Sequence, residues 1–165
     1  GARPGDGVYV SGRIGDAGFC FWKLSNGLVS SNQELKRLNC PIPRIELGLA
    51  LQNLASACID ISDGLEQDLS HILKASSVGA VIEVKKIPVS EALHVHVKDT
   101  NDWSIPLCGG DDYELCFTIP KGNEEALKMV SESCNVNITR IGVVSESLGL
   151  QIEGYDGPRK SYQHF

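Results

Sequence analysis

Asp60, Ser62 and Asp63 stand close together in the run Ile59-Asp60-Ile61-Ser62-Asp63-Gly64-Leu65. A small apolar stretch, Leu54 to Cys58, reads as a buried strand before them, and Leu65, Leu69, Ile72 and Leu73 recur at helical spacing after them. Two carboxylates and a hydroxyl at a strand-to-helix turn suit one chemistry. Helix N-terminal amides attract phosphate, and close-set carboxylates attract the hard divalent cation that accompanies it. If the chain stays extended to Ser62, Cys58, Asp60 and Ser62 share one face, with Ala57, Ile59 and Ile61 on the other. Asp63 has a second reading. With Glu66 three residues on, it forms a capping box with Asp in place of Ser or Thr and needs no ligand. Asp60 has no such alternative, because a carboxylate in an apolar strand needs a cation or donors.

A second acid-bearing stretch is Cys108-Gly109-Gly110-Asp111-Asp112-Tyr113-Glu114-Leu115. Alternation puts Asp112 and Glu114 on one face and Tyr113 and Leu115 on the other. Taken alone this reads as an exposed acidic turn. Paired with the first stretch, it becomes the second wall of one cleft. The glycine loop Gly12 to Gly18 between a strand and a helix has the shape of a phosphate loop, but no Gly-Lys-Ser/Thr closes it. We read it as a tight turn with Asp16 as the helix cap. The pair His94 and His96 lacks a third ligand at metal-binding spacing and reads as surface. The six cysteines show no CxxC pair and read as buried, reduced thiols.

The elements that must hold these residues follow from the pattern. Strands are expected at Val8 to Ser11, Ala80 to Val84, Leu115 to Ile119, Ile138 to Val144 and Leu150 to Ile152. Helices are expected after Gly18, around Leu35 and Leu38, over Arg44 to Leu54 with Leu47, Ala50, Leu51 and Leu54 as its core stripe, over Ser90 to Val97, and over Asn123 to Cys134. Asp99 to Ser104 reads as a polar loop around Trp103. The chain has 165 residues, 42% hydrophobic, which suits one domain, residues 1–165, with its own core. A net charge of -6 without a basic block argues against nucleic-acid or anionic-membrane partners. No apolar run reaches membrane-spanning length and no signal peptide is seen, so a cytoplasmic location is expected. Opening at Gly1 without Met, on a Pro4-Gly5-Asp6-Gly7 turn, the sequence reads as one part of a longer protein.

Taken together these stretches resemble the C-terminal domain of bacterial thiamine-monophosphate kinase. The resemblance rests on Gly1 to Asp6, Ser11-Gly12 with Gly15 to Ala17, Pro43-Arg44 with Gly48, Ile59 to Leu65, Gly109 to Phe117, Ile138 to Gly142 and Gln163-His164-Phe165, in order across the whole chain. That family is similar to aminoimidazole ribonucleotide synthetase and selenophosphate synthetase. The resemblance implies an α+β fold, a layered α/β/α domain on a mixed β-sheet. It also implies ATP-dependent phosphorylation of thiamine monophosphate to thiamine diphosphate. By position, Asp60 and Asp63 would bind magnesium, Ser62 would contact ATP, and Asp111 would contact thiamine monophosphate. Phe165 or Tyr162 would pack on the substrate ring. An N-terminal domain supplying further metal and ATP ligands, and dimerising the parent enzyme, would lie outside this chain, leaving it with little activity alone. Another enzyme of the same superfamily, or a non-catalytic binding module, are the rival readings.

Overall fold

The computed structural model describes residues 1–159. Along the chain come β1 (Gly7–Ser11), α1 (Asp16–Ser25), α2 (Asn32–Asn39), α3 (Ile45–Leu51), β2 (Ala57–Ile61), α4 (Leu65–Ser76), β3 (Gly79–Glu83), α5 (Glu91–Thr100), α6 (Ser104–Cys108), β4 (Glu114–Ile119), α7 (Glu124–Cys134), β5 (Ile138–Ser145) and β6 (Gly149–Glu153). The strands form one six-stranded sheet in the order β2-β4-β1-β5-β3-β6. All neighbours are antiparallel except β3 and β6, so the sheet is mixed.

Strand alternation divides the apolar side chains between two layers. Val8 and Val10 of β1 and Cys116 of β4 face a cluster built with Leu65, Leu69, Ile72 and Leu73 of α4, Phe19 of α1, Leu93 and Val97 of α5, and Leu107 of α6. Tyr9, Phe117 and Ile119 face the other way, onto Leu47 and Leu51 of α3 and Leu127 of α7. Tyr9 and Phe117 stack there with ring centroids 6.0 Å apart. Each fully buried Leu or Ile is worth ~2 kcal/mol of removed apolar surface. The result is the α+β, layered α/β/α arrangement expected from the sequence. Among the described residues no helix is long and apolar enough to cross a membrane.

Several local readings need correction. The strand before the central turn begins at Ala57 rather than Leu54, and it ends at Ile61 rather than Ser62. The helix expected over Arg44 to Leu54 stops at Leu51, and Ala50 faces solvent. Asp99 to Ser104 is not a polar loop throughout. The α5 helix extends to Thr100, and Trp103, 8% exposed, anchors the short α6. Pro106 hid α6 from the pattern, yet in the first helical turn a proline removes no intrahelical bond. His96 is not a bare surface residue: its ring sits 5.2 Å from Phe19 and 4.6 Å from Trp22. Of the six free cysteines Cys40 and Cys58 are exposed, Cys58 on the open face of β2, one of the two edge strands.

Candidate functional site

The two acid-bearing stretches meet at one end of the sheet, through pairing of β2 with β4. Ile61 lies opposite Glu114 in that pair, so each strand's turn emerges beside the other. Asp111 N–H donates to the Ser62 carbonyl at 2.9 Å, and Tyr113 N–H donates to the Ile61 carbonyl at 2.9 Å. Asp111 and Tyr113 hold positive φ angles of 66° and 51°, the kink that lets the turn fold back on Ser62. Gly64, at φ 107°, lets the other turn approach: a Cβ there would lie 2.9 Å from the Cys108 backbone.

Asp60 projects from β2 beside Leu115, its cross-strand neighbour, and is exposed, as is Cys58 on the same face. Ser62 and Asp63 are half-buried in the turn. The capping-box reading of Asp63 and Glu66 does not hold, since Gly64 occupies the N-cap of α4 and no side chain caps it. Asp63 Oδ2 instead accepts from Gln67 Nε2 at 2.9 Å. Glu66 accepts from the Cys108 thiol at 3.6 Å and pairs with Arg159 at 3.3 Å. The residue that orders the turn is Asp68, 3% exposed. One of its oxygens accepts from the backbone N–H of both Ser62 and Asp63, each at 3.0 Å. Burial raises the Asp68 pKa, the two amides oppose that, and the nearby charges of Asp63 and Asp60 raise it further. Sequence reading passed over this residue. Its signal was a carboxylate one step before Leu69, on the apolar stripe of an amphipathic helix.

Two of the three acids in this second stretch are buried and the third, Asp111, is half-buried, contrary to the exposed acidic turn read from the stretch alone. Asp112 is 2% and Glu114 1% exposed. Asp112 turns onto the N-terminus of α1, where it accepts from Gly15 N–H at 2.6 Å and Ala17 N–H at 3.3 Å. The loop shaped like a phosphate site is thus filled by the protein's own carboxylate, and Asp16 is the first helical residue rather than the cap. Glu114 is held by Arg44 in a two-pronged pair at 2.8 and 2.6 Å, by Arg37 at 3.3 Å and by the Ser11 hydroxyl at 2.5 Å. Opposite partners give opposite titration. Desolvation pushes Asp112 up to about 7 although the two amides resist it. Desolvation also acts on Glu114, but its hydrogen bonds to Arg44 and Ser11 and the guanidinium charges of Arg44 and Arg37 prevail and hold it below the usual range.

Asp111 remains available, half-buried on the wall of a cavity of about 280 Å³. Phe21, Leu38, Ile105 and Pro158 make the cavity apolar, and Asp111 is the one charged group on its wall among the described residues. Cys108 also faces it, but burial, with the adjacent Glu66 carboxylate, pushes its thiol up to about 12 and keeps it protonated. Asp60, Ser62 and Asp63 are outside this cavity, on the adjoining rim. Tyr162 and Phe165, the terminal aromatics expected at the substrate ring, lie outside the described residues.

Among the described residues no three His, Cys, Asp or Glu side chains gather closely enough to hold a metal ion by themselves. Asp60 and Asp63 offer oxygen donors, a hard-cation set too small for a protein cage. It fits an ion that takes one or two carboxylates and fills its shell with phosphate oxygens and water.

A mixed sheet layered between helices, with acids from two joined turns at its rim, defines the class, and residues 3–154 match the family described as AIR synthase related protein, C-terminal domain. The chain belongs to that family. Within it, the similarity is to thiamine-monophosphate kinases. That of Salmonella typhimurium is 41% identical over 179 residues, covering all of this chain and 54% of its own length. The crystal structure of the enzyme from Stenotrophomonas maltophilia K279a superposes with TM-score 0.86 at 35% identity, over 94% of this chain and 52% of that one. AaThiL complexed with AMPPCP and TMP superposes at 0.81 with 32% identity, over 100% of this chain and 53% of that one. The chain thus spans about half the length of the curated relatives it matches.

Proposed function

We propose that this domain is the C-terminal half of a cytoplasmic kinase that transfers a phosphoryl group from ATP to thiamine monophosphate. The observation that carries the reading is the pair of backbone hydrogen bonds from Asp111 and Tyr113 to Ser62 and Ile61, which joins the two turns into one rim. In support, relatives at 41% identity bear the name thiamine-monophosphate kinase, and one similar structure is a complex with AMPPCP and TMP.

Phosphoryl transfer needs positioning and charge neutralisation rather than a covalent nucleophile. Magnesium, when bound, neutralises phosphate charge. Asp60 and Asp63 would each give it a carboxylate, leaving the rest of its shell to phosphate oxygens, water and the other half of the protein. Ser62 would donate its hydroxyl to an ATP phosphate. Asp68, by clamping the Ser62 and Asp63 amides, fixes the backbone that carries both side chains. Asp111 would face the cationic thiazolium of the substrate, whose flat ring suits the apolar wall of Phe21, Leu38 and Ile105. Either Phe165 or Tyr162 would close over that ring. The preceding half would bring further acids and nucleotide contacts and would carry the contact of a homodimer.

The test is a coupled assay of the full-length protein with ATP, magnesium and thiamine monophosphate. We expect thiamine diphosphate to form, with Asp60→Asn and Asp63→Asn each lowering turnover at least a hundredfold at limiting magnesium, and with residues 1–165 alone showing no turnover. Absence of product from the full-length protein, or unaltered turnover in both variants, would sink the reading.

A further inference from the structure

The cavity beside Asp111 is bounded on one side by Pro158, in the segment 154–159 that follows β6. That segment leaves the strand at Gly154, φ 90°, and doubles back over Tyr155, so closely that a Cβ on Gly157 would lie 2.4 Å from the ring. Tyr155 itself is 7% exposed and packs in the larger apolar cluster. Two acids hold the segment, and each of them also holds α6, which contributes Ser104, Ile105 and Cys108 to the same cavity. At the start of α6, Asp102 Oδ1 accepts from Ser104 N–H at 2.8 Å and from the Tyr155 hydroxyl at 2.9 Å. At its end, Glu66 accepts from the Cys108 thiol at 3.6 Å and pairs with Arg159 at 3.3 Å. The Tyr155 hydroxyl also donates to the Pro158 carbonyl at 3.2 Å, so the ties flank and touch the residue that lines the cavity.

Burial alone would raise the Asp102 carboxyl, but the hydrogen bonds from Ser104 and Tyr155 prevail and hold it below its ordinary range. Its bond to Tyr155 is therefore a charge-assisted one at neutral pH. The Glu66–Arg159 pair, with side chains 30% and 38% exposed, adds little to stability. Its consequence is geometric. We propose that Asp102 and Glu66 are positioning residues that select the substrate: by tying residues 154–159 to α6 they fix Pro158 as a wall against which a flat cationic ring is held beside Asp111. A cavity of about 280 Å³ lies at the small end of ligand pockets, which suits a ring system with its phosphate left outside at the Ser62 rim. This assignment rests on the reading of the chain as half of a kinase acting on thiamine monophosphate, and it deepens that reading. Neither acid touches the ring; both act through Pro158.

The experiment uses the full-length protein with ATP, magnesium and thiamine monophosphate. Tyr155→Phe and Arg159→Met each remove one tie, and Lys86→Met, which removes the exposed pair Lys86–Glu83, is the control. KM for thiamine monophosphate is expected to rise about fivefold in the first two variants, with KM for ATP unchanged. Arg159→Lys keeps the charge of a single-pronged pair and should stay within about twofold of wild type. Without substrates, labelling of Cys108 by iodoacetamide, read from its peptide by mass spectrometry, is expected to quicken roughly fivefold or more in both tie variants. Loss of Arg159 takes a cation away from that thiol and by itself slows labelling, so the acceleration reports an opened cavity. An unchanged KM for thiamine monophosphate, an equal rise in KM for ATP, or labelling at the control rate in both tie variants would overturn the proposal. Product formation by the unaltered protein is read separately. If none forms, the kinase reading fails while Cys108 labelling still judges the ties, so the two failures are distinguishable.

Discussion

Asp112 and Glu114 lie two residues apart at similar depth, and the difference between amide and guanidinium partners decides their behaviour. The Asp112 carboxyl rises from 3.8 to about 7 on folding. It therefore binds a proton as the chain folds, and the stability this lends is complete below about pH 4 and is lost as pH rises through 7. Glu114 has the opposite sign: its contribution is present above its unfolded value of 4.5 and is lost as pH falls through its lowered folded value. We expect Asp112→Asn to flatten the pH dependence of the urea midpoint between pH 4 and 7; a slope equal to wild type would contradict the assignment. Glu114→Gln strands two guanidinium groups and should cost about 3–5 kcal/mol at pH 7. Asp68→Ala leaves the Ser62 and Asp63 amides without their acceptor and should cost ~1–3 kcal/mol by the same measurement. The sequence showed that acids cluster, because type and spacing are written in it. It did not show that Asp112 and Glu114 are internal ties, since their partners lie at positions 15, 17, 37 and 44, and 70 or more residues separate each pair.

At the scale of elements, the amphipathic helices were legible where polar and apolar residues alternate at 3.6-residue spacing, as in α4 and α7. One short helix, α6, was not, and the end of α3 was read too far along. Residues 104–108 carry a proline and no polar face, and α3 ends earlier than its apolar run because Gln52 to Ser56 must turn the chain into β2. The α2 helix is the opposite case: it was expected, yet it has no buried residue at all. It is held by its own capping box between Ser31 and Glu34, by the Lys23–Glu34 pair at 2.9 Å, and by Arg37 reaching Glu114. The partly exposed Lys23–Glu34 pair contributes ~0.5 kcal/mol. We expect α2 amides to exchange with solvent faster than those of α4, and Ser31→Ala to cost about 1 kcal/mol locally and raise that rate severalfold. Protection of α2 equal to that of α4 would mean that something outside these contacts holds it.

At the scale of the whole molecule, the layered class followed from the motifs, but the strand order did not. Residues 7–10 pair with 116–119, more than a hundred positions away, and local sequence carries no record of that choice. The same pairing positions the candidate site. With β4 set between β1 and β2, its leading turn can deliver Asp112 and Glu114 inward to α1, Arg37 and Arg44 while Asp111 stays on the cavity wall beside the Ser62 turn. Asp111 is thus the acid left over from the internal ties, and under the proposed function a cationic substrate would be its partner. The decisive measurement is the KM for thiamine monophosphate in the full-length protein carrying Asp111→Asn, with KM for ATP taken alongside. We expect the first to rise about tenfold, equivalent to ~1.4 kcal/mol, with the second unchanged; equal KM values for thiamine monophosphate in variant and wild type would contradict the assignment.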